Sequence, residues 1–566
     1  LLAAERVEVY KGANSLRYGG SALGGGIQLV TKNGRSAEPV RLRTEGGSFG
    51  YLKAFASTGG ARGPWDAYLA ASDTRSHGFR DHAEQDRQRL YASLGHRFDG
   101  GAALRVFVNG VRNRQELPGA VTRAEFREDP SQASPASELQ DEARDYEYGR
   151  AALALAVPVG DDRSVELYGQ LNHQDLWHPL AFGIIDNETT NANGELRFVA
   201  ADPLFGLASR LQLGLQGGWT YQPQEIHENR GGSRGPTFES QRANASAAAL
   251  YAIEELSLSE RLALVGGLRF QYAGRELDDR DLMDSDFDAR PDDSGSADFF
   301  AVLPSLGLRY ALLEDVELFG NVGRSYEPPV LFESTAPGNL NGDLSDLDAQ
   351  DAWQFELGAR GALGDRVRFD VAVYDVEVRD EIRNLNVDPT GQGFFTIPRY
   401  VNVDRSRHWG VELFADALLA RAVAGRVGLP GDDALHLALA YTFSRFVYVD
   451  DPVFGGNDLP GAPRHFVRGE LRYAHASGFW IAPNVEWTPR GWFVDSANTE
   501  RAPAYVLANL RLGYDHAASG LSVFGEVRNL FDRDFVSSVV VDAADGRSYE
   551  PGDGRGFFAG VEWRWR

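Results

Sequence analysis

Polarity alternates with a period of two along almost the whole chain. In the C-terminal segment Phe557, Ala559, Val561, Trp563 and Trp565 fall on one side, and Phe558, Gly560, Glu562 and Arg564 on the other. Leu521, Val523, Gly525 and Val527 separate in the same way from Ser522, Phe524, Glu526 and Arg528, and similar runs cover 262–270, 104–108 and 506–514. Successive side chains of a strand point to opposite faces, so each run reads as a strand with one apolar and one polar face. Helical stripes with caps are hard to find. The chain is all-β.

Its length of 566 residues would suggest three or four globular domains, but the strands argue for one large object. They run to roughly 10–14 residues, about the length that crosses a bilayer as a tilted strand. Trp480, Trp487, Trp492, Trp563 and Trp565 stand near strand ends, as interfacial girdles do. Connections alternate between short (near 99–101, 313–315, 361–365 and 517–520) and long, and no blade-length repeat marks a propeller. No run reaches the ~18 apolar residues of a membrane helix, which excludes helical spans and leaves β-barrels open. The expectation is a transmembrane antiparallel β-barrel of about 22 strands, a size that holds a plug in its lumen.

Composition narrows the chemistry. There is no Cys, which removes disulfide scaffolds, Cys-zinc sites, iron–sulfur clusters and Cys nucleophiles. Lys plus Arg is 57 against 81 for Asp plus Glu, a net charge of −24, which opposes nucleic-acid binding. No G-x-S-x-G elbow or comparable arrangement points to an enzyme.

The first segment reads Glu5-Arg6-Val7-Glu8-Val9-Tyr10-Lys11-Gly12, followed by Arg17-Tyr18-Gly19-Gly20 and Gly24-Gly25-Gly26-Ile27-Gln28-Leu29-Val30-Thr31-Lys32. This order resembles the end of the plug domain of TonB-dependent outer-membrane receptors. Later stretches are similar to that family in the same sequence. They are Tyr326-Glu327-Pro328-Pro329, Trp353-Gln354-Phe355-Glu356-Leu357-Gly358, Asn402-Val403 with Gly410-Val411-Glu412-Leu413, Leu459-Pro460-Gly461-Ala462-Pro463-Arg464-His465, and Asn529-Leu530-Phe531-Asp532-Arg533-Asp534-Phe535. Residues 1–36 then correspond to the C-terminal remnant of a plug and 37–566 to the barrel. The chain ends in Arg566, where the family usually ends in an aromatic residue. The first part of the plug and the TonB-pairing segment are expected upstream of Leu1.

The resemblance implies a monomeric receptor in the outer membrane of a Gram-negative bacterium, among outer-membrane lipids and lipopolysaccharide. It would import a scarce nutrient chelate, foremost a ferric siderophore or ferric carboxylate, without a cofactor of its own. Energy would come from the TonB-ExbB-ExbD complex through the missing N-terminal segment. Cobalamin, another cofactor, haem or an oligosaccharide are alternative cargoes, and a passive porin-like barrel or surface receptor is the alternative class. The resemblance also implies a lock between plug cations, Lys11 with Arg6, and the barrel carboxylates Glu356 and Glu412. Alternation independently turns both carboxylates into the lumen, because their neighbours Phe355, Leu357, Val411 and Leu413 are apolar.

An anionic cargo on a chain of charge −24 calls for concentrated arginine. Arg112 with Arg114, and Arg230, Arg234 and Arg242 around Gly231-Gly232, are the ligand-binding candidates. Residues 117–126 and 493–499 resemble loops of the ferric-citrate branch of the family. Long loops are expected at 112–145, 173–193, 222–242, 274–298, 325–350 and 379–407. The acidic run from Asp278 to Asp293 only partly matches a calcium loop, since Ala289 stands where Gly is needed. His173 and His178 flank Trp177, but Gly338-Asn339-Leu340-Asn341 is only a partial echo of a haem-receptor box. No metal site is assigned.

Overall fold

The structure, a computed structural model, describes residues 2–11, 25–280, 294–334, 347–387, 397–423, 425 and 432–565. Twenty-two antiparallel strands close into one barrel. Each pairs with its sequence neighbour, and the first strand, Val40–Gly47, pairs with the last, Gly556–Trp565. Closure leaves no strand edge, so every ladder group finds a partner where lipid offers none.

The alternation becomes an inside and an outside. Along Gln350–Leu363, Ala352 and Gln354 are buried while Phe355 and Leu357 face outward. Short turns such as 63–64, 98–102 and 314–315 gather at one end, with both barrel termini, and long connections at the other. Ala4–Lys11 and Gly25–Thr31 form a separate two-stranded sheet.

Several expected loops are strand. Arg163–Leu180 and Gly183–Ala200 stay paired up to a two-residue turn. Ser209–Arg230 and Ser233–Ser257 do the same up to Gly231-Gly232, whose φ of 61° and 78° make a type I′ hairpin turn. The physical reason is that hairpins rising past the apolar band no longer separate an apolar from a polar face: the upper part of Ser209–Arg230 is mostly polar, and the tip of Arg163–Leu180 with Gly183–Ala200 has neighbouring apolar pairs, Leu176-Trp177 and Ile184-Ile185. Alternation disappears there although the ladder continues. The tryptophans also divide. Trp563 and Trp565 stack at 6.2 Å on the outer wall, and Trp487 is exposed there too. Trp480 instead faces the lumen, with Arg472 and Arg511 at 4.8 and 5.8 Å from its ring centre. Trp492 lies in a core between loops. The glycine-rich run 17–24, the acidic run 281–293, residues 338–341 and Arg566 lie outside the described residues.

Candidate functional site: the lumen and its cover

The N-terminal hairpin is seated on the inner wall. Leu2 and Ala3 pack on Phe55, Tyr68, Ala70 and Tyr91. Arg41 donates to the Leu2 carbonyl at 3.1 Å, and the Thr31 and Tyr91 hydroxyls meet at 2.5 Å. The connection to the barrel is tied through Asp66, whose carboxylate lies within 3.3 Å of Arg35 and 2.8 Å of Arg105 and accepts the Gly34 amide at 3.2 Å. Gly34 has to be glycine here, since an added Cβ would come within 2.3 Å of the Gly60 carbonyl oxygen. Asp66 sits in an unremarkable strand sequence, and its role shows only when Gly34 and Arg105 are brought beside it.

Between the hairpin and the wall lies a cavity of about 1100 Å³. Gln28 and Thr31 line it from the hairpin, and Arg105, Arg150, Arg197 and Arg269 from the wall. Arg197 is held by Glu166, and Arg269 donates to Gln216 at 2.8 Å and Gln271 at 3.0 Å. A site lined this way can hold a polar solute through charge-assisted hydrogen bonds.

Glu356 and Glu412 both face the lumen, on strands that flank Val367–Val387. Glu356 is paired directly across from Tyr374, and Glu412 across from Ala372, two residues away on the same strand. Asn321 donates to Glu356 at 2.7 Å. Gly410 makes room for the Tyr374 ring, since a Cβ there would lie 2.5 Å from the phenol oxygen. Arg6 pairs with Glu8 of its own strand at 2.6 Å. Lys11 pairs through its backbone with Gly25, and its side chain lies outside the described residues.

The candidate ligand arginines do not converge. Arg112 and Arg114 share a face with the exposed Val106 and Val108, while Asn113 between them is buried. Arg112 reaches Glu147 at 3.4 Å on that outer wall. Arg230 pairs with Glu228 at 2.8 Å near a hairpin tip. Arg234 contacts Asp186 and lies over Trp177 at 5.2 Å. Arg242 is well down the same hairpin, across from Pro223 and Asp278. Nearness in sequence suggested a cluster, but a tight hairpin with alternating faces separates these residues. The cavity arginines, spread over several strands, carry no local sequence signal.

At the long-connection end, three loops fuse into one body. Val121, Phe126, Trp492, Val494, Ala502, Val536 and Tyr549 form its buried core. Thr122 caps the short helix Arg123–Glu128 in a capping box with Glu125. Val121 and Tyr549 exchange backbone bonds of 2.8 and 3.0 Å, and the Tyr549 phenol donates to Glu500 at 2.5 Å. Burial first, and that bond second, push the phenol well above its ordinary value. The body reaches across the mouth. Asn386, at the top of Val367–Val387, donates to the Val541 carbonyl at 3.0 Å and accepts from the Ala544 amide at 3.3 Å. On the other side Glu142 accepts from Ser137 at 2.6 Å and from the Ala181 amide at 2.7 Å. Burial raises the Glu142 carboxyl above the ordinary carboxylate range.

The family model for the TonB dependent receptor-like β-barrel matches residues 30–530. The chain belongs to the TonB-dependent receptor family. As such it is a β-barrel protein of the Gram-negative outer membrane. The "Metal-pseudopaline receptor CntO" of Pseudomonas aeruginosa (strain UCBPP-PA14) is 24% identical over 94% of this chain and 76% of its own length. The "Ferrichrome outer membrane transporter/phage receptor" of Escherichia coli (strain K12) is 28% identical over 33% of this chain and 23% of its own length. Among solved structures, the unliganded ferric citrate transporter FecA superposes with a TM-score of 0.81 at 18% identity, covering 98% of this chain and 83% of that one. The siderophore receptor PiuA from Acinetobacter baumannii gives 0.80 at 14% identity, covering 99% and 86%.

Proposed function

We propose that this receptor captures a metal chelate at the cell surface and admits it to the periplasm, driven by TonB acting on the plug. The hairpin anchored on the wall through Arg41 and Tyr91, with its connection tied to Asp66, carries this reading, since a passive pore has no use for a segment held inside its lumen. Residues 1–36 act as the end of the plug and 37–566 as the barrel. The sequence similarity to a metal-pseudopaline receptor supports a chelate as cargo. Arg105, Arg150, Arg197 and Arg269 along the cavity outnumber its carboxylates Asp66, Glu166 and Glu195 and favour an anionic chelate. A ferric siderophore or a ferric carboxylate is the finer assignment.

The test is binding and uptake in iron-starved cells carrying the full-length gene, across ferric siderophores, metal–pseudopaline, ferric citrate, haem and cobalamin. Uptake that continues without TonB refutes the energised mechanism, and uptake of none of the metal chelates refutes the cargo class. The lock between plug and barrel is tested by Glu356→Gln with Glu412→Gln in the same protein. Looser plug packing and higher pore leakage are expected, and unchanged leakage counts against it.

A further inference from the structure

We propose that the turn at residues 201–208 is a membrane anchor whose apolar tip seats in the inner, phospholipid leaflet of the outer membrane. The base of this turn is fixed. The Ala201 amide donates to Asp162 at 2.9 Å and the Ser257 amide to Ala208 at 2.8 Å, joining it to the turns on either side. Arg163 grips Asp202 with two bonds of 2.7 and 3.1 Å.

The tip is a miniature hairpin. Leu204 and Leu207 exchange backbone bonds, both of 3.0 Å, and Phe205 and Gly206 between them have φ of 54° and 78°. That is a type I′ turn, whose first central position suits Asn, Asp or Gly. A Phe there carries backbone strain that Asn would avoid. It gains nothing inside the protein in return. At 89% exposure Phe205 is the most exposed large apolar side chain among the described residues.

Its surroundings identify what covers it. The turn lies at the short-turn end, beneath the outer-wall residues Leu196, Leu213 and Leu215 that face lipid. Turns and strand ends at this end also expose apolar side chains, among them Trp65, Phe98, Leu258, Leu313, Leu419 and Phe479. Apolar groups recurring around the whole rim match a plane. A soluble protein partner would mark one sector with a polar border. Phe205, the most exposed of these side chains, is an aromatic of the kind that seats at the headgroup level.

The absence of Cys from the chain makes the test specific. Phe205→Cys and, as reference, Asp161→Cys on the neighbouring turn carry a nitroxide in the folded barrel, reconstituted in phosphatidylethanolamine–phosphatidylglycerol vesicles. At position 205 the spin label is expected to relax more with oxygen than with a water-soluble nickel chelate, and at 161 the reverse. Equal nickel accessibility at both positions overturns the proposal, and a soluble partner then becomes the better reading of the exposed tip. A second readout changes the side chain alone. Phe205→Asn relieves the turn, so a purely local role predicts a higher thermal unfolding midpoint in vesicles. Lipid seating predicts a lower one, and a rise overturns the anchor.

Discussion

The barrel closes over a buried charge cluster, and Glu562→Gln tests how much closure depends on it. Glu562 is 2% exposed on the last strand, directly across from Arg43 of the first. Its carboxylate receives Arg41 at 2.9 Å and Arg43 at 3.1 Å and also contacts Arg564. Arg41 continues the network to the Leu2 carbonyl of the hairpin at 3.1 Å. Glutamine keeps the shape but removes the negative charge, leaving guanidinium groups crowded together in a site with little water. Breaking one side of a buried ion cluster costs about 3–5 kcal/mol. The reference variant is Glu526→Gln, whose carboxylate pairs with the exposed Arg528 at 3.0 Å, an exposed type of pair worth about 0–1 kcal/mol. The assay is refolding into phospholipid vesicles, followed by the temperature at which the compact form is lost on gels. Glu562→Gln is expected to lower that temperature clearly more than Glu526→Gln, with little rescue by added salt. Equal behaviour of the two variants refutes the claim that this cluster stabilises the seam.

The fused loops should behave as one cooperative body. Val536→Ala, at a fully buried position of their core, is expected to cost about 1–3 kcal/mol locally and to expose residues 116–144, 489–504 and 529–555 to protease together. Cleavage confined to one loop would count against a shared core. Arg80 is largely buried and donates to the Gln132 carbonyl at 2.9 Å and the Pro118 carbonyl at 3.3 Å, so Arg80→Ala should release residues 116–144 at a cost of about 1–3 kcal/mol, again read by protease. Because burial raises the Glu142 carboxyl, the folded state holds its proton more tightly than the unfolded one. The stability tied to that raised value is present in acid and lost as pH rises through it, so the segment packed over Glu142 should open more readily upward from about pH 4, although the ionised carboxylate is the better acceptor for the Ala181 amide. Hydrogen exchange at residues 181–182 against pH measures this, and Glu142→Gln should flatten the profile.

Sequence alone determined the class of fold, because period-two polarity is a direct imprint of a wall with lipid on one side and water on the other. The strand number followed from counting such runs, and the lumenal orientation of Glu356 and Glu412 from their apolar neighbours. Motif order carried the family. Tertiary structure decided what alternation does not encode. Hairpins standing clear of the membrane no longer divide into one apolar and one polar face, so Arg163–Leu180 and Ser209–Arg230 read as loops at their upper ends although they are strands. Arginines close in sequence proved to be spread over the outer wall and hairpin tips, while those lining the cavity come from strands far apart in the chain. The loop core around Tyr549 joins residues more than 400 positions apart, and no local pattern announces such a contact. A strand reports which face each side chain takes, since that follows from backbone geometry alone. Which side chains meet across a lumen follows from closure of the whole ring.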